Sequence, residues 1–193
     1  MTHTAPAPAT VGPTDRGTRD RATDARTEGT PQHPAPTSAP DHAADVADVR
    51  RLVQDRAAAF RAGDAERLVA DLLPDAVLFT LAPPLAQPAA AAHDVGALRA
   101  WFAGHGGRVG YEVTDLVVRI DGDLALCHSI DRMGAPDDTP GHRFDLWFRT
   151  TLGLCRVGGR WRVAHQHQST PFHMDGSFRA AVDLRPGSDG DQG

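Results

Sequence analysis

The spacing of apolar residues along the chain changes character twice. Residues 1–41 hold no aromatic side chain, and Met1 and Val11 are their only large aliphatics. Seven of the 15 prolines fall in this stretch, among Thr, Ala and Asp. So little burial cannot offset the entropy of ordering, which predicts a disordered N-terminal tail over 1–41. From His42 onward Val46, Val49, Val53, Ala57 and Phe60 recur at helical spacing. Gly63 fits a left-handed cap, and Asp64 fits the cap of a second helix carrying Leu68, Leu72 and Leu73, which Pro74 stops. Ala76–Phe79 reads as a short strand. Residues 81–92, rich in Pro and Ala, read as a loop or irregular hairpin. Asp94 caps a third helix with Val95, Leu98, Trp101 and Phe102, ending at Gly104.

Beyond Gly104 the period becomes two. Val109–Ile120, Leu124–Met133, Arg143–Val157 and Arg160–His173 read as strands. Asp121-Gly122-Asp123 joins the first pair, Gly134–Gly141 the second, and Gly158-Gly159 the last. Three helices followed by an antiparallel meander predict one α+β domain, 42–175, with a C-terminal tail over 176–193. Helices closing one face of such a sheet leave a cavity at its open end.

Composition narrows the function classes. Net charge is −5, and all 20 basic residues are Arg. That acidic balance argues against a nucleic-acid partner. No apolar run approaches the roughly 20 residues a membrane span needs, and no secretory signal follows Met1. Cys127 and Cys155 make neither a disulfide framework nor a zinc cluster. They read as small buried residues in a cytoplasmic, reducing setting.

The last hairpin is the most specific stretch. Gly158-Gly-Arg-Trp-Arg-Val-Ala-His-Gln-His-Gln-Ser-Thr-Pro-Phe172 resembles the C-terminal strand of SnoaL-like proteins of the nuclear transport factor 2-like superfamily. Arg149-Thr-Thr, Gly122-Asp-Leu-Ala125 and the helix break Arg61-Ala-Gly-Asp64 fit the same pattern, so the likeness runs over 42–173. The resemblance implies a cone-shaped fold, three helices packed on a curved antiparallel sheet, usually homodimeric, with a pocket between sheet and helices. Relatives include polyketide cyclase-like and ketosteroid isomerase-like enzymes, epoxide hydrolases, and the non-catalytic association domain of calmodulin-dependent kinase. The fold therefore fixes function poorly.

Strand parity sorts the candidate residues. A two-residue turn at Gly158-Gly159 places Trp161, Val163, His165, His167 and Ser169 on the core face. A three-residue turn with Gly159 as a bulge places Ala164, Gln166 and Gln168 there instead. Aligned with the association domain, pocket arginines fall at 132, 152 and 168, where this chain has Arg132, Leu152 and Gln168. Their shared parity favours the bulged turn, with Phe144, Leu146, Phe148 and Thr150 inward on one strand and His128 and Arg132 inward on the strand before. His128 then serves as acid or base and Arg132 as oxyanion holder. Gln166, Gln168, Thr150 and Trp101 are the candidates to line the substrate, although Trp101, like Phe102, reads first as core and only second as a substrate platform.

The expected function is cofactor-independent proton transfer (isomerisation, cyclisation or dehydration) on a small oxygenated apolar molecule. The alternative is a non-catalytic ligand-binding or oligomerisation module. In the other register His165, His167 and Ser169 become the site, and His165 with His167 permits a metal if Asp145 or His142 adds a third ligand. The ketosteroid isomerase carboxylates have no counterpart, since Thr80, Arg56 and Leu152 stand at the matching places. An Asp-Arg-Asp water clamp is imitated only in part by Arg132 with Asp131 or Asp145.

Overall fold

The structure, a computed structural model, describes residues 39–136 and 145–187. The tail expected over 1–41 thus lies almost wholly outside the described residues, as do His142, Arg143 and Phe144. Helix α1 spans Ala39–Ala62, α2 Ala65–Ala70, α3 Ala89–Ala92 and α4 Val95–Gly104. The strands are β1 Leu72–Phe79, β2 Gly110–Asp121, β3 Leu124–Gly134, β4 Asp145–Val157 and β5 Arg160–Ser169.

The capping residues act as the sequence predicts. The Asp64 carboxylate accepts from the Arg67 amide and that of Asp94 from the Ala97 amide, 2.9 and 2.8 Å away. Gly63 adopts φ +68°, and a Cβ there would sit 2.1 Å from the Gly107 carbonyl oxygen. Only glycine allows the loop after α4 to approach the α1–α2 turn so closely. The second helix is shorter than expected: Leu72 and Leu73 belong to β1, and α2 ends at Ala70. Pro74 sits within β1, which is tolerable because β1 is an edge strand and its register shifts between Leu72 and Val77. The 81–92 stretch forms a bridge between Leu78 and Gln87, followed by the single turn α3.

The sheet order is β1-β5-β4-β3-β2. β2 to β5 form the antiparallel meander, and β1 adds at the edge, parallel to β5. Helix α1 lies across the inner face, against β2 and β5. Val49, Val53, Leu72, Ala76, Val118, Cys127, Leu152, Leu154, Trp161 and Val163 form the main core. Past β5 the chain stays packed, with Phe172 bridged to Ala180 and Ala181 buried. Among the described residues no helix is long and apolar enough to cross a membrane.

Parity in β5 resolves differently from both sequence options. Val157 pairs with Arg160, so Gly158-Gly159 is the two-residue turn, both glycines at positive φ. The extra residue comes later. Leu154 faces Val163 and Gly153 faces His165, leaving Ala164 as the bulge. Trp161 and Val163 point inward before it, Gln166 and Gln168 after it. A second register shift in β2 between Thr114 and Val117, with Asp115 at φ +53°, does the same between Val113 and Leu116.

Core geometry sets a stability contrast. Leu154 is 1% exposed and Leu124 is 61% exposed on the opposite face. Leu154→Ala should cost about 2–5 kcal/mol in urea unfolding, and Leu124→Ala about 0.5 kcal/mol or less.

Candidate functional site

β3 settles the fate of the two leading sequence candidates. Cys127 faces Leu152, Ser129 faces Thr150 and Asp131 faces Phe148 across the β3–β4 ladder. Opposed residues in an antiparallel pair share a face, so the even inward positions of β4 meet odd ones of β3. His128 and Arg132 are therefore on the outer face, and the expectation that they line the cavity is corrected. His128 is exposed. Arg132 pairs through Nε with Asp145, which Arg185 also contacts at 3.3 Å. The parity was misleading because the larger side chains, Leu124 and Leu126, are the ones that point outward.

The inward row brings Ser129 and Asp131 to a place the sequence reading left empty. Asp131 is 2% exposed, and its carboxylate accepts three hydroxyl donors. Tyr111 Oη and Thr150 Oγ1 donate to Oδ2, each at 2.7 Å, and Ser129 Oγ donates to Oδ1 at 2.6 Å. A buried carboxylate without such donors would be strongly disfavoured. Tyr111 itself is stacked on Phe60, with ring centroids 4.6 Å apart. Burial, then the neighbouring Asp131 charge, raises the Tyr111 phenol well above its usual 10.0.

Arg56 rises from α1 to the same wall and is 8% exposed. Its guanidinium donates to the Leu68 carbonyl at 2.7 Å and to Gln166 Oε1 at 3.3 Å. Burial lowers its proton affinity, and the nearby Asp71 charge partly restores it. The side chain stays a cation at neutral pH.

These groups form the floor of a cavity. An inner cleft of about 20 Å³ is bounded by Arg56, Tyr111, Ser129, Asp131, Thr150 and Gln166. That is room for about one water. It shares Arg56, Phe60, Tyr111 and Gln166 with an outer chamber of about 350 Å³. Leu68, Leu78, Leu81, Leu98, Trp101 and Met133 make the outer chamber's walls mainly apolar, with Gln168 at one side. Such a space suits a small ligand that is apolar over most of its surface and polar at one end.

Of the sequence candidates, Gln166, Gln168, Thr150 and Trp101 thus line the cavity, and Trp101 also packs against the core around Phe102. His165 and His167 do not line it. Their rings flank Phe79 at the sheet edge, 5.1 and 5.8 Å from its centroid, and His165 Nδ1 lies 2.8 Å from the Val77 carbonyl oxygen. Ser169 likewise does not line it; it sits opposite Arg149. Among the described residues no three His, Cys, Asp or Glu side chains gather as a metal site, and His142 lies outside them. Cys127 is buried beside the inner cleft, and desolvation pushes its thiol up to about 11, so it is no thiolate at neutral pH. The residues that sequence reasoning missed as a site are Tyr111, Ser129, Asp131 and, in a binding role, Arg56. The available signal was the odd row of β3, Ala125, Cys127, Ser129 and Asp131, with its small residues ending in polar ones.

Tyr111 is the only tyrosine in the chain, which makes its titration readable. The phenolate absorbance of the native protein should not rise near pH 10, whereas guanidinium-unfolded protein should titrate there. Because the folded value is the higher one, this contribution to stability is complete below pH 10 and declines as pH climbs beyond it. A native titration near 10 would show Tyr111 to be solvated.

The profile of the SnoaL-like domain family matches residues 49–173. Among solved structures, an NTF2-like protein of unknown function from Pseudomonas putida KT2440 is 30% identical, over 75% of this chain and 98% of that one, with a TM-score of 0.65. A proposed scytalone dehydratase from Novosphingobium aromaticivorans is 15% identical, over 74% of this chain and 95% of that one, with a TM-score of 0.57. A proposed dehydratase of the NTF2-like family from Streptomyces avermitilis is 17% identical, over 66% and 96% of the two chains, with a TM-score of 0.54. The last two likenesses concern the fold alone. No curated protein matches the chain.

Proposed function

The chain belongs to the SnoaL-like domain family of the nuclear transport factor 2-like superfamily, and on that premise we propose that it moves a proton on a small, oxygenated, largely apolar molecule held in its cavity. The reaction class is cofactor-independent isomerisation, cyclisation or dehydration. The observation that carries this reading is the buried Asp131 carboxylate linked by a 2.7 Å hydrogen bond to Tyr111, which reaches the outer chamber.

The pair acts as a relay. A carbon acid bound against Tyr111 gives its proton to the phenol oxygen as the phenol proton passes to Asp131. The C–H electron pair moves into the adjacent carbonyl, forming an enolate. Reversal of the relay at another carbon isomerises the substrate, and return of the proton to a β-hydroxyl, as the enolate electrons form the C=C bond, releases that hydroxyl as water. Tyr111 ends each step neutral, so no phenolate persists beside a carboxylate. That order follows from the electrostatics, since a lone phenolate there is strongly disfavoured. Gln168 and Trp101 hold the apolar body of the substrate.

A second reading, a non-catalytic ligand-binding module, is favoured by one observation. Three hydroxyls already saturate most of the Asp131 carboxylate, as they would in a structural network. A homodimer through the outer sheet face is part of this proposal, supported by Leu124 and Leu126, which are 61% and 51% exposed there.

Deuterium exchange separates the two readings. In heavy water, 2-tetralone should lose its α-protons faster with the protein than in buffer. Asp131→Asn and Tyr111→Phe should each lower that acceleration by about 100-fold or more, with circular dichroism unchanged. Binding of the ketone without any acceleration would leave the non-catalytic module standing and end the relay proposal.

A further inference from the structure

The two buried charges of the cavity are not alike. The negative one, Asp131, is met by three hydroxyl donors. The positive one, Arg56, is met only by neutral oxygens, the Leu68 carbonyl and the Gln166 amide. Among the described residues no carboxylate is in contact with it. Asp71 is near enough to be felt electrostatically, but its Oδ1 lies 3.8 Å from Arg67 and its buried Oδ2 makes no hydrogen bond, to Arg56 or any other described group. A guanidinium carries five N–H donors, and two hydrogen bonds leave several open toward the cavity that Arg56 lines. Gln166 accepts from Arg56 through Oε1, which leaves its own amide N–H donors for a ligand. Burying an unpaired cation is costly unless something of opposite charge completes it.

We propose that the cavity takes an apolar molecule bearing one anionic oxygen group, which docks on Arg56 and the Gln166 amide nitrogen. This rests on the pocket reading above and specifies its ligand, but it does not depend on the Asp131–Tyr111 relay. Two sources share the chemistry: a carboxylate, and the enolate of an acidic enol. Both present a charged oxygen to a donor fork. The apolar remainder fills the 350 Å³ chamber between Leu98, Trp101 and Met133.

The test is binding by calorimetry, with 2-naphthoate and 4-hydroxycoumarin as the carboxylate and enolate probes. Methyl 2-naphthoate and coumarin are their neutral controls. At least one anion should bind about 10- to 100-fold more tightly than its control. Arg56→Gln should abolish that preference. Since Arg56 also holds the Leu68 carbonyl, the decisive variant is Gln166→Glu, which gives Arg56 an internal carboxylate partner, with circular dichroism checking the fold. It should erase the preference for the anion over its neutral control. Equal binding of anions and controls to the native protein would overturn the proposal, as would an anion preference that survives Gln166→Glu. Anion preference without deuterium exchange on 2-tetralone leaves this proposal intact and removes the relay. Exchange without anion preference does the reverse.

Discussion

One inserted residue governs how this sheet serves both core and cavity. Ala164 has no partner across the β4–β5 ladder, so the inward side of β5 changes from odd to even positions at that point. Before it, Trp161 and Val163 close the core under α1. After it, Gln166 and Gln168 face the open end. Without the bulge, the same strand would direct His165 and His167 inward and Gln166 to solvent. Arg56 would lose its amide partner, and the cavity floor would have no fixed polar wall. The β2 shift at Asp115 does the matching work on the other edge, keeping Tyr111 and Val113 inward together with Val118.

The cavity floor is a charge-burial problem solved in two unlike ways. Asp131 is stabilised from inside the protein, by hydroxyls from β2, β3 and β4. Three strands must be in register for all three donors to reach it, so the network also pins the sheet. Arg56 comes from a helix and is anchored only to carbonyl and amide oxygen. A carboxylate held internally and a guanidinium left open to the chamber give the site a direction. Under the proposed function, one end would shuttle a proton and the other receive charge.

Helices α1 and α4, the caps at Asp64 and Asp94, the meander strands and the place of the Gly158-Gly159 turn were legible because each rests on local chemistry. A side-chain oxygen meets an amide three residues on, or two glycines take positive φ. The site was less legible because parity is not local. Gln166 and Gln168 were assigned to the cavity through a bulge expected at Gly159, and the bulge lies at Ala164. On β3 alternation offered two apolar rows, Leu124-Leu126 and Ala125-Cys127, and the even parity shared by positions 132, 152 and 168 pointed to the wrong one. Only the ladder to β4 decides between them, and that depends on a loop whose length does not reveal its path. Asp131 was in view only as half of a water clamp with Arg132, because its three hydroxyl donors come from positions 111, 129 and 150. Leu72 and Leu73 suit a helix by periodicity, but the edge of the sheet claimed them.

One part of the chamber's lining, Thr80, Leu81, Ala82, Gln87, Ala91 and Ala92, comes from a stretch outside the meander. The polar floor comes from α1 and β2 to β5. Substitutions in that stretch can therefore reshape which molecules the chamber fits without touching the acid, hydroxyls and guanidinium of the floor. Ligand choice and the polar floor are free to diverge separately over evolutionary time, and a designer could graft new tastes onto an unchanged base.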